Sequence, residues 1–169
     1  MKASYVPIKQ TGGAIVEFIF VLPLLLLLML ATAEFGHAFY QYNTLTKAVR
    51  NGTRYLADNV LTNTTGVINI SEVLRTETRN MVICGKKDCT DIDPLVKGFD
   101  NPEQVNVEPV TTGGTTKHIQ VTAAYVYEPI LFPDCLPTFI KYGPQCKSGK
   151  YGFDLDFTLS ASAIMRVLL

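Results

Sequence analysis

The chain has no tryptophan, only two histidines and no excess of either charge, with 15 Lys and Arg against 15 Asp and Glu in 169 residues. A neutral chain gives no sign of the basic patch with which nucleic-acid binders neutralise phosphate, so no nucleic acid is expected as a partner. The sequence also lacks a Gly-x-Ser-x-Gly elbow, a phosphate loop, an HExxH pair and a dinucleotide fingerprint. His37 borders a long apolar segment and His118 opens a strand-like pattern. Neither suits a general base, and the chain is read as no enzyme, with no catalytic residue, cofactor or metal. The four cysteines lack the paired C-x2-C spacing of a structural zinc site. At 47% apolar, the chain is not a disordered one, which needs low hydrophobicity and high net charge. No internal repeat or low-complexity tract is present.

What the sequence does have is a concentration of apolar residues near its start. From 14 to 33, 17 of 20 positions are apolar, the exceptions being Glu17, Pro23 and Thr32. Twenty helical residues rise about 30 Å, the thickness of the hydrocarbon core of a bilayer. Ala31-Thr32-Ala33 has the form of a signal-peptidase site, but the apolar stretch is too long for a discarded signal. Within it, Leu24 to Leu28 offers broad van der Waals surface rather than a small-xxx-small dimer motif. Three details separate the run from a plain anchor. Gly12-Gly13 supplies a flexible border between the polar leader and the run, where a peptidase has access to the backbone. Glu17 puts a costly carboxylate inside the run. Pro23 removes a helical donor, which predicts a kink or local unwinding.

Gly12-Gly13-Ala14-Ile15-Val16-Glu17-Phe18, then Val21-Leu22-Pro23-Leu24-Leu25-Leu26, then Glu34-Phe35-Gly36, together with Ala48-Val49-Arg50-Asn51-Gly52-Thr53-Arg54-Tyr55-Leu56-Ala57, resembles the TadE-like family. These proteins are pseudopilins, or minor pilins, of bacterial tight-adherence (Tad/Flp) pilus systems. The resemblance is close over residues 12–57 and architectural beyond them. It implies cleavage by a prepilin peptidase after a glycine, with a glutamate fifth in the mature chain and an aromatic after it. Counting back from Glu17 places the cut between Gly12 and Gly13, and a cut after Gly13 is the second choice. Loss of Lys2 and Lys9 with the leader leaves 13 basic against 15 acidic residues. The resemblance further implies that Glu17, Phe18 and Pro23 act in subunit assembly. The partners it implies are other pilins, a TadF-like protein and an Flp-type major pilin, met through the N-terminal helix in the inner membrane. Snorkelling of Glu17 to the interface is the simpler alternative for that residue.

From Glu34 the pattern is amphipathic, with Phe35, Ala38, Phe39, Tyr42, Leu45, Val49, Gly52, Leu56 and Val60 in one stripe and Glu34, Gln41, Lys47, Arg50 and Arg54 off it. One helix over about 14–58 is therefore predicted, with Gly52 permitting the close approach of another element. Asn69 and Glu72 have capping-box spacing for a second helix over about 70–84, stopped by Gly85, with Val73, Leu74, Met81 and Val82 as its apolar face. Val105 to Val107 reads as an edge strand ending at Pro109. The positions Ile119, Val121, Ala123, Tyr125 and Tyr127 alternate as a second strand, and Phe153 to Ala163 as a third. Prolines at 129, 133, 137 and 144 mark residues 129–150 as a long irregular loop. Of the three possible cysteine pairings, proximity favours Cys84–Cys89 and Cys135–Cys146, which fits an oxidising periplasm.

The expected architecture is α+β and pilin-like: a long N-terminal helix, its lower half transmembrane, packed on a small antiparallel β-sheet. Its divisions are a cytoplasmic leader over 1–12, a transmembrane segment over 13–33 and a periplasmic domain over 34–169 that includes the upper half of the helix. The expected function is that of a single-pass inner-membrane minor pilin for a Tad pilus, with binding rather than catalysis as its output. An uncleaved single-pass periplasmic binding or scaffold protein is the alternative.

Overall fold

The computed structural model describes residues 13–61, 68, 70–112, 115–130, 136–137, 152–153 and 156–167. Helix α1, Gly13–Asn59, runs for 47 residues, about 70 Å at 1.5 Å per residue. It passes through Pro23 without a break in the helical run, so the unwinding predicted there does not occur. The proline removes one backbone donor, and the leucines on both sides, strong helix formers, carry the helix across it.

The upper half of α1 packs on the domain, but on a face rotated from the predicted stripe. Ala38, Gln41, Leu45, Ala48, Val49, Gly52, Thr53 and Leu56 are buried. Phe35, Phe39 and Tyr42, placed on the stripe by hydropathy, are exposed. Gln41 and Glu34, placed off it, face the sheet, because tyrosine hydroxyls there supply them with partners. A buried polar group is tolerated once it is hydrogen-bonded, which single-residue hydropathy does not register. Thr53 is buried in the same way, its hydroxyl donating to the Val49 carbonyl at 2.7 Å.

Helix α2 spans Glu72–Ile83. Its N-cap is Ser71, whose Oγ accepts from the Leu74 amide at 3.3 Å, so Asn69 does not open the helix as its spacing with Glu72 predicted. The buried positions are Leu74, Thr78, Val82 and Ile83. Val73 is 70% exposed, a correction to the predicted face, and Thr78 takes its place with its hydroxyl donating to the Leu74 carbonyl at 2.6 Å. Gly85 ends the helix at φ +76° and donates to the Met81 carbonyl, a left-handed terminus that glycine adopts without penalty. A disulfide joins Cys84 to Cys89 just beyond, as proximity predicted. It occupies both thiols and so rules out a zinc site made from all four cysteines.

Strands β1 (Val105–Thr112), β2 (Thr115–Tyr127) and β5 (Phe157–Arg166) form an antiparallel sheet in the order β1-β2-β5. A separate pair joins β3 (Leu136–Pro137) to β4 (Gly152–Phe153). β1 is an edge, as predicted, yet it continues past Pro109, which pairs with Ile119. An edge strand tolerates a proline whose missing donor faces outward. The third strand starts at Phe157 rather than Phe153, which belongs to β4, and runs on to Arg166. Only pieces of the predicted 129–150 loop are described, and Cys135 and Cys146 lie outside the described residues, as do residues 1–12.

The alternation of β2 sends Ile119, Val121, Ala123, Tyr125 and Tyr127 inward, all buried against α1 and its neighbours. Tyr127 meets α1 at Glu34, whereas Arg166, opposite His118, lies beside Ala57 and Asp58 at the other end. β2 therefore runs against α1, and β1 and β5 run with it. Helix α2 closes the core beside β1. Arg75 donates to the Val107 carbonyl at 2.7 Å and Arg79 to the Val105 carbonyl at 3.2 Å, covering part of an edge that would otherwise present open backbone groups.

Gly52 sits where α1 and α2 approach, and a Cβ there would collide with the Val82 side chain and lie 3.5 Å from the Thr78 carbonyl. Replacing it by leucine should lower the stability of the domain by about 1–3 kcal/mol, the usual range for overpacking. Denaturant unfolding in detergent measures this, and adding Val82→Ala to Gly52→Ala should restore part of the loss that Gly52→Ala causes.

Candidate functional site

Two regions carry the features singled out in the sequence. The first is the lower shaft of α1. Gly13 is its first residue, and Glu17 and Phe18 follow one turn later; Gly12 lies outside the described residues. Every residue from 13 to 33 is exposed, including Glu17, Phe18 and Pro23. The helix is long and apolar enough to cross a membrane, and its most apolar 18-residue stretch has no buried residue. Exposure is untenable for such a surface in water at about 25 cal/mol per Å² of apolar area. Thr32, the polar residue near the upper end, donates its hydroxyl to the Leu28 carbonyl at 2.7 Å and so needs no water.

The second region is the junction where the shaft meets the domain. Glu34 is the first residue of α1 tied to the sheet. Its Oε1 accepts from the Tyr127 hydroxyl at 2.6 Å and from the Ile130 amide at 2.9 Å. Two turns higher, Gln41 Oε1 accepts from the Tyr125 hydroxyl at 2.5 Å, and its amide nitrogen lies 2.6 Å from His37 Nε2. The tyrosine rings are themselves held, Tyr127 against Phe157 at 4.9 Å and Tyr125 against Phe99 at 5.6 Å between centroids. Burial pushes the Tyr125 hydroxyl up to about 12. Burial, then the Glu34 hydrogen bond and charge, raise Tyr127 as well. Higher on α1, Tyr55 donates to Glu77 of α2 at 2.6 Å; burial and then that bond raise its pKa.

Sequence reasoning missed this junction. The available signal was positional. Glu34, His37 and Gln41 recur at i, i+3 and i+7, one helical face, while Tyr125 and Tyr127 occupy alternate positions of one strand. Its chemistry is that of a fastening. Beside it is a cleft of about 370 Å³ lined by His37, Gln41, Lys97, Glu128, Pro129 and Ile130. Among the described residues no group of three or more His, Cys, Asp or Glu side chains is placed to hold a metal ion.

The junction also fixes the rotation of the shaft. Eighteen residues make about five full turns, so in an unbroken helix Glu17 projects in the same direction as Phe35. Phe35 points away from the sheet and is exposed. Glu17 lies below the domain rather than beside it and, like every residue from 13 to 33, is exposed.

Residues 12–54 match a family model described as TadE-like protein. The matched part begins at Gly12, includes the whole exposed shaft and the junction residues of α1, and stops at Arg54. No curated protein and no solved structure matches the chain.

The raised tyrosines give the domain an alkaline limit. Below about pH 10, the ordinary tyrosine value, both folded and unfolded chains hold these protons and the contribution is constant. Above it the unfolded chain releases them first, so stability falls as pH rises toward the folded value of Tyr125, about 12, by up to about 1.4 kcal/mol per pH unit for each tyrosine. Thermal unfolding in detergent should show a midpoint that drops steeply above about pH 10, with a shallower drop in Tyr125→Phe.

Proposed function

We propose that this chain, TadE-like over residues 12–54, is a membrane-anchored minor pilin or pseudopilin of a Tad-type pilus, released from its leader by a prepilin peptidase. The observation that carries this reading is the register at the start of α1. Gly12-Gly13 stands at the border of the leader, Glu17 falls fifth after the Gly12–Gly13 bond with Phe18 after it, and both are exposed on an unbroken apolar shaft. Cleavage frees an amine at the helix start. A carboxylate one turn along is favoured there by the unsatisfied helix N–H groups, by about 0.3–1 kcal/mol when exposed. In hydrocarbon that carboxylate is costly until a neighbouring subunit presents a complementary group.

The exposure of Glu17 supports this role. It lies below the chain's own domain, where nothing among the described residues covers α1 and another pilin helix has room to lie along the shaft. Such helices replace lipid on the apolar surface as the subunit leaves the bilayer, so association is the natural chemistry of residues 13–33. The domain over 34–169 lies in the periplasm in this reading, where the Cys84–Cys89 disulfide is compatible with the redox conditions. A TadF-like protein and an Flp-type major pilin are the partners, and attachment to surfaces is the outcome of the assembled pilus.

The mature N-terminus tests the processing step. Intact mass of the protein extracted from membranes should lack residues 1–12 in cells with a prepilin peptidase and retain them without it. A chain that keeps its leader in both would instead be an uncleaved tether. Glu17→Ala should leave membrane insertion and the fold of the domain intact while abolishing cross-linking to partner pilins or piliation. Normal piliation in that variant would remove Glu17 from assembly.

A further inference from the structure

Several exposed apolar side chains of the domain lie at its lower end. Glu34 lies one residue beyond the apolar run of α1, and its carboxylate holds the Ile130 amide and the Tyr127 hydroxyl. Ile130 and Phe157, whose ring packs on Tyr127, are therefore at the height where the shaft leaves the hydrocarbon. Ile130 is 59% and Phe157 46% exposed on the sheet side of the helix. On the other side, Phe35 is 75% and Phe39 60% exposed, within about 9 Å of Ala33 along the axis. Lys97 lines the cleft with His37 and Ile130, and His37 is only about 6 Å above Ala33. The headgroup layer of a bilayer is about 5–7 Å deep on each side. Aromatic and aliphatic groups favour this layer, and a lysine beside them reaches the phosphates.

We propose that the lower end of the domain is a second membrane contact: Ile130 and Phe157 on one side of α1, with Phe35 on the other, form an apolar collar seated in the headgroup layer, with Phe39 at its upper rim and Lys97 directed to lipid phosphate. The occupant is the bilayer because the collar is continuous with the spanning surface and begins where that surface ends. The proposal rests on the membrane-anchored reading given above. The collar fixes the domain upright against the membrane, with β1 and β5 rising from it, and holds Glu34 and its partners out of bulk water.

The absence of tryptophan allows single-tryptophan variants of the full chain to report depth. The variants are Phe20→Trp, Ile130→Trp, Phe157→Trp and Ile164→Trp, each at an exposed position. They are reconstituted at high dilution in vesicles of phosphatidylethanolamine and phosphatidylglycerol containing lipid brominated near either end of the acyl chain. The expected result is loss of Phe20→Trp emission with bromine near the methyl end. Ile130→Trp and Phe157→Trp should shift to the blue and lose emission with bromine near the glycerol end, and Ile164→Trp, about 23 Å farther along β5, should do neither. Quenching at position 20 without quenching at 130 and 157 overturns the collar and leaves the anchor standing. A blue shift at 130 and 157 without bromine quenching overturns it too, because a polypeptide rather than lipid then covers the site. Equal quenching at 164 shows a domain lying flat and overturns the upright seat. No quenching at position 20 removes the anchored reading, and the collar with it.

Discussion

A single helix that has to satisfy two different surroundings along its length sets the terms for the rest of the molecule. Below Glu34 nothing in the described chain covers α1, and every side chain from 13 to 33 is exposed. Above it the same helix supplies one wall of a protein core that includes Leu45, Val49 and Leu56. The change takes place within two turns, at Glu34, His37 and Gln41. A junction of apolar contacts alone would not locate this border, because the shaft is apolar as well and one greasy surface slides on another. Hydrogen bonds of fixed direction, from Tyr127 to Glu34 and from Tyr125 to Gln41, give the sheet one height and one angle on the helix.

The domain is stabilised around that wall by devices that close its open ends. The first edge of the sheet is covered by the Arg75 and Arg79 guanidinium groups, carries Pro109, which has no backbone donor, and has a register shift after Val110, all means of keeping an edge from recruiting other strands. Helix α2 reaches α1 closely because Gly52 leaves room for Val82. Its C-terminal turn is held by Gly85 and by the Cys84–Cys89 bond. Asn80 donates to the Lys87 carbonyl at 2.8 Å, and Lys87 lies over the Tyr55 ring. The disulfide loop is thereby tied back to α1 rather than left free.

Much of this was legible in the residues. Hydrophobic run length marked the shaft, period-two alternation marked β2 with its inward face correct at five positions, and Gly52 and Gly85 did what glycines at those places are expected to do. The misreadings of burial share one cause. Hydropathy assigns each side chain to water or to oil by its own polarity, whereas burial depends on whether a partner is present. Gln41, Thr53 and Thr78 are buried because a tyrosine or a carbonyl of their own helix satisfies them. Phe35, Phe39 and Val73 are exposed because those partnered groups already occupy the inward face. The cap of α2 is a separate case: Asn69 and Ser71 are both suitable residue types, and Ser71 is the one whose hydroxyl accepts from the first turn. For the candidate site, the register of Gly12, Gly13 and Glu17 is written in the sequence alone, but the junction that orients Glu17 required knowing which strand residues meet α1.

The choice of tyrosine at the junction follows from its place at the upper end of the apolar shaft. A lysine or arginine bonded to Glu34 would bring a second charge into a poorly solvated region, and removing two charges from water costs several kcal/mol per ion before their attraction offsets it. A tyrosine brings an apolar ring that packs on Phe157 and a single hydroxyl that donates, so it serves oil and carboxylate together. It also donates in one direction only, and this makes the junction a rotational reference. Because α1 is unbroken from the junction down to Gly13, the angle fixed at Glu34 is carried about five turns to Glu17. The domain, although far from the start of the helix, thus shares one rotational frame with the one acidic group of the shaft.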